Sequence, residues 1–179
     1  MPFNMTPPQI VATIIAFVAM ISDCRHGKIY NWLTFPAIFL GWGMNLYIDG
    51  LSGLGYSLAA TFFGIAMYLP FAMLGLMGMG DVKLLGAIGA LGGSYFVFSV
   101  FLYASAFGVV HALLIQFLNY GSNGFSMLVT SFSTGIFREK TIQKENLTTF
   151  KEGKFRFLLG VDIFLATLAA CYHTFIITW

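Results

Sequence analysis

Charge is scarce in this chain. Lysine and arginine number nine, aspartate and glutamate seven, and together they make 9% of the sequence, where a soluble domain carries about 25%. That excludes an ordinary water-soluble globule. The net charge of +2 is too small for a nucleic-acid binder held by phosphate contacts. Cysteine is also thin. Cys24 and Cys171, with no CxxC pair, exclude a disulfide framework and a zinc site, so no metal and no cofactor is expected. No lysine or arginine precedes Arg25, so the first apolar run lacks the basic n-region of a cleavable signal and reads as a retained membrane helix.

What is abundant is apolar sequence: 58% hydrophobic residues and a mean hydropathy of +0.83. A membrane-spanning helix needs about 20 such residues. Candidate runs are Pro8 to Ser22, opened by Pro7 and Pro8 as helix starters, Trp32 to Ile48, then, after a turn at Asp49-Gly50 and Ser52-Gly53, Leu54 to Met77, Leu84 to Leu118 and Phe157 to Trp179. As one straight helix the fourth run would extend about 52 Å at ~1.5 Å per residue, beyond a hydrocarbon core of about 30 Å. Two shorter spans with a turn near Gly92-Gly93-Ser94 fit better, the first of them, Leu84 to Leu91, small enough to pack inside a bundle. The expectation is an all-α integral membrane protein, a six-transmembrane-helix bundle of one domain (1–179) with a polar cytoplasmic loop at about 119–156. Basic residues gather on the cytoplasmic side. In this arrangement Arg25, Lys28, Lys83, Arg138, Lys140, Lys144, Lys151, Lys154 and Arg156 all fall on one face. Both termini then lie outside.

Within this apolar background the stretch Gly78-Met79-Gly80-Asp81-Val82-Lys83 is a charged island. An acid between two membrane-length runs is expensive and reads as functional. Gly75, Gly78 and Gly80 allow close backbone approach beside it. Of the other acids, Asp49 is on the opposite side and Glu139, Glu145 and Glu152 lie in the basic loop. Asp162 lies roughly 9 Å into the last helix at about 1.5 Å per residue. Asp23, at the exit of the first run, shares the side and depth of Asp81. Two carboxylates held close share a proton, so that one can act as base on a water and the other as acid toward a carbonyl.

These residues carry a family resemblance. Gly78-Met79-Gly80-Asp81 resembles the GxGD signature of intramembrane aspartyl proteases. Asp23-Cys24-Arg25-His26-Gly27-Lys28-Ile29-Tyr30-Asn31-Trp32-Leu33-Thr34 resembles the D-x-R-x-x-x-I-x-N-x-L-T stretch of type IV prepilin peptidases, and Asp81-Val82-Lys83-Leu84-Leu85 is similar to that family's GxGDVKLL. The resemblance implies a GxGD-type bundle with Asp23 and Asp81 as catalytic pair. It also implies cleavage, after a glycine and on the cytoplasmic side of the inner membrane, of the short basic leader of prepilin-like precursors. Bifunctional relatives add N-methylation through a cysteine-bearing insert. Here the first cytoplasmic loop is short and holds only Cys24, which implies the peptidase-only branch, of Tad or Flp type or archaeal. Two departures stand out: Tyr30 occupies the place of a common proline, and Arg156 to Asp162 replaces a Pro-Phe/Tyr-Gly opening of the last helix.

Each candidate has a bland alternative. Asp23 and Asp81 could be salt-bridged to Arg25 or Lys83, or be helix caps. Arg25 and Lys83 could be interfacial anchors to lipid rather than groups that touch substrate. Asn31 could be a cap, and Asp162 could pair locally rather than modulate the two acids. The basic loop could simply attract anionic lipid. Two other functions compete with the peptidase: a proton-coupled transporter, which wants an acid near the midplane, and a non-catalytic pilus assembly factor, which would tolerate Asp→Asn at both positions.

Overall fold

The computed structural model of the chain describes residues 6–74, 77–120 and 159–177, all but their short connections helical. The helices are α1 (Pro7–His26), α2 (Asn31–Met73), α3 (Met79–Tyr120) and α4 (Leu159–Ile177). Three are long and apolar enough to cross a membrane: Pro7–His26, Asn31–Met73 and, within α3, Met79–Leu114. The chain divides into two compact units, one of residues 1–107 and 158–179 and one of residues 108–157. The described part of the second is the C-terminal portion of α3. The polar loop expected at about 119–156 falls almost wholly outside the described residues, as does Gly75.

α1 opens on Pro7 and Pro8, which lose nothing at positions where an N–H has no helical partner. It runs past Ser22, one turn beyond the expected end. Gly27 is the reason: in the left-handed region (φ 60°, ψ 32°) it closes the helix, its N–H donating to the Asp23 carbonyl at 2.7 Å. Arg25 adds favourable charge at the negative helix end. Asp23 therefore stands inside the last turn of α1, not in the loop that follows it. α3 likewise begins at Met79, so Asp81 occupies a first helical turn rather than a connecting loop.

Helices α2 and α3 each contain a glycine in non-helical conformation: Gly50 (φ 65°, ψ −149°) and Gly93 (φ 82°, ψ 175°). Both fall where turns are expected from the sequence, and both need the positive φ that only glycine adopts cheaply. At Gly50 the chain folds back, for Trp42 Nε1 donates to Thr61 Oγ1 at 3.0 Å. Past Gly93, Phe98 meets Phe63 at 6.5 Å and Phe101 meets Tyr68 at 5.3 Å between ring centroids. Before it, Gly89 lies against Ala60 and Gly86 against Ile65. The order of partners reverses, so the two parts of α3 run in opposite directions along α2.

The break at Gly93 strands the Ala90 carbonyl, and side chains from α2 satisfy it. Ser57 Oγ and Asn45 Nδ2 both donate to it, the latter at 2.9 Å. Each bond contributes about 1 kcal/mol, and a buried carbonyl left with neither donor costs about 1–3 kcal/mol. Ser57→Ala or Asn45→Ala alone is expected to cost about 1 kcal/mol. The double variant should cost more than the sum, as measured by denaturant titration in detergent micelles.

The core lies where these runs meet: Leu84, Leu85, Ile88, Val97, Val100 and Ile163 are fully buried. The small-residue run expected at Leu84 to Leu91 is thus interior. α1 packs on α4 and α2. Thr13 contacts Cys171, Phe17 stacks near Phe164 at 5.4 Å, and Asp23 meets Gly160, so α1 and α4 are antiparallel.

Candidate active site

The antiparallel arrangement brings the end of α1 and the starts of α2, α3 and α4 to one end of the first unit. Asp23 is 8% exposed there. Its Oδ2 accepts the Gly160 N–H from the first turn of α4 at 2.9 Å, in a buried bond. Asp81 is partly buried in the first turn of α3, and its Oδ2 accepts the Gly78 N–H at 3.2 Å. The bond folds the Gly78-Met79-Gly80 stretch against the carboxyl. The two carboxylates lie within electrostatic reach of each other.

The other predicted residues assemble around them unevenly. Lys83 Nζ donates to Asn31 Oδ1 at 3.0 Å and sits 5.3 Å from the centre of the Phe35 ring. That contact ties the start of α3 to the start of α2. Asn31 is not the cap of α2, since Tyr30 holds that position and Asn31 follows inside the helix. Its amide oxygen serves Lys83 instead. A Cβ on Gly80 would come within 3.0 Å of the Ile29 Cβ and carbonyl oxygen, whereas Gly78 would meet only the Asp81 carboxyl and the Gly80 nitrogen. Close approach is therefore required at Gly80. Arg25 is exposed on the last turn of α1.

Among the described residues neither Arg25 nor Lys83 bonds to the acid beside it, so the salt-bridge alternative has no support in the geometry. Lys83→Ala is expected to lower stability by no more than about 1 kcal/mol, as an exposed contact should. The same denaturant titration checks it.

Two residues enter the site that sequence reasoning did not single out. Gly160 is one. Tyr68 is the other, 2% exposed on α2 and within electrostatic reach of both Asp81 and Asp162. A lone tyrosine in an apolar run gives no signal of this. Asp162 is buried at 3% exposure, in the first described turn of α4 (Leu159–Ile177). It lies two residues beyond Gly160, which contacts Asp23. No group of three or more potential metal ligands occurs among the described residues.

Chemically, the arrangement offers two carboxylates from different helices, one buried and fixed, one at the rim, with backbone amides directed at each. The description "Type IV leader peptidase family" matches residues 10–113, which hold both acids. No curated protein and no solved structure matches the chain.

Proposed function

Because the chain belongs to the type IV leader peptidase family, we propose that it is a membrane aspartyl endopeptidase that removes the short basic leader of prepilin-like precursors. Asp23 and Asp81 are the catalytic pair. One carboxylate takes a proton from water as the oxygen adds to the scissile carbonyl, and the other gives its proton to the carbonyl oxygen. Collapse breaks the C–N bond and returns a proton to the leaving amine. The observation that carries this reading is the placement of Asp23 and Asp81 at one end of the unit, within reach of each other's charge and free of any ion pair to Arg25 or Lys83.

In this reading the turns at Gly50 and Gly93 divide α2 and α3 into two passes each. With α1 and α4 that gives six spans and puts the acids at the cytoplasmic face of the inner membrane. Gly78 and Gly80 give the extended precursor room beside Asp81. Lys83, Asn31 and Arg25 line the approach. The cut follows a glycine just ahead of the precursor's apolar helix, and the short loop before Asn31 leaves N-methylation to another protein. A transporter would need an acid in mid-membrane, and in this reading Asp23 and Asp81 stand at its edge.

The test is a mass measurement. The purified chain, incubated in detergent with a candidate precursor, should reduce the precursor's mass by that of its leader, at a single glycine. A precursor that keeps its leader across a panel of pilin-like substrates would reject the assignment.

A further inference from the structure

We infer that Gly160 is a positioning residue for this cleavage, its amide and its lack of a side chain together fixing the carboxylate of Asp23. The inference rests on the catalytic reading above. Asp23 sits on α1, and a carboxyl at the end of a helix has several rotamers open to it. The partner that selects one comes from 137 positions away in sequence, a buried Gly160 N–H at 2.9 Å.

That N–H belongs to the second described residue of α4 (Leu159–Ile177), and the positive end of a helix dipole favours a carboxylate. Bonds of this charge-assisted kind are short and directional. The space around the contact is closed as well. A Cβ at position 160 would stand 2.9 Å from both the Cβ and Oδ2 of Asp23 and 3.2 Å from its Cγ. Real Cβ atoms do not approach so closely, so any larger residue moves the carboxyl. Among the described residues, the side-chain bond of Asp81 comes from its own turn, exposed and longer at 3.2 Å. Asp23 is thus located by a tertiary bond to its Oδ2, and in the catalytic reading Oδ1 faces the attacking water.

The competing account is that Asp23 merely caps α4 from a neighbouring helix. Gly160→Ala separates the two, because it keeps the N–H and displaces the carboxyl. Misplacing a reacting group by about 1 Å costs up to ~10²-fold in rate. Gly160→Ala should therefore lower kcat about 10- to 100-fold with KM changed less than about threefold. Leu165→Ala, on the exposed side of α4, should leave both constants unchanged. Asp23→Asn keeps an acceptor for the amide and loses the base, so it should remain folded and inactive.

If Asp23→Asn cleaves at the normal rate, the catalytic reading itself fails. If Asp23→Asn is inactive but Gly160→Ala keeps full kcat, only the positioning role fails. Should Gly160→Ala not fold, the native chain still decides. In ¹⁵N-glycine-labelled protein the Gly160 amide proton should move upfield in Asp23→Ala relative to wild type, and an unmoved resonance overturns the inference.

Discussion

Alanine at Asp23 or at Asp81 is expected to abolish leader removal, each lowering the rate by about 10⁴-fold, the upper range for loss of a general acid or base. The two losses should not add. A residue that works only with its partner is already useless once the partner is gone, so the double variant should be no slower than either single one. Folding should survive both changes. Among the described residues Asp81 bonds within its own turn, and its removal takes a partly buried carboxyl out of the protein. Asp23→Ala loses the bond to Gly160, worth about 1.5–3 kcal/mol for a charged acceptor, so some thermal stability should go with the activity. Mass spectrometry of a co-expressed precursor measures the first effect and melting in detergent the second. Appreciable processing by either variant would remove the paired-acid mechanism.

The second large effect is on packing. Gly89→Leu is expected to destabilise the protein by about 3 kcal/mol or more, at or beyond the usual range for overpacking. The position allows no relief. A Cβ there would drive into the Ala60 carbonyl oxygen and stand 3.0 Å from the Ala60 carbonyl carbon, and backbone cannot rotate away as a side chain can. Gly64 is equally confined, its Cβ position 2.7 Å from the Leu85 carbonyl oxygen. α2 and the first part of α3 thus touch backbone to backbone, the close approach that small residues permit between membrane helices. Gly55→Leu is the control. Nothing lies within 4 Å of a Cβ there, and its cost should be only the change in helix propensity, which favours leucine. Equal losses at the two positions would mean that this contact does not hold the helices together.

Much of this was legible because the chain has so little charge. An acid in apolar sequence is conspicuous, and Asp23 and Asp81 could be paired by counting turns between runs. The reversals at Gly50 and Gly93 were marked by Asp49-Gly50 and Gly92-Gly93-Ser94. Helix ends were harder, since hydropathy falls at Asp23 while the backbone continues to His26, held by the Gly27 cap. The same rule hid the helical setting of Asp81. The roles of Asn31 and Lys83 were not legible at all, because their bond joins residues 52 apart and no periodicity encodes such a contact. Gly160 was hidden for the same reason: a glycine that admits a neighbour's carboxyl looks in sequence like any other glycine near a helix start.

The two acids stand on separate helices, and no short loop sets their separation. Their spacing is a property of how the helices settle against one another. Catalysis is therefore a sensitive gauge of the bundle. A detergent or lipid that loosens the helices without melting them should silence the enzyme while leaving its circular dichroism untouched.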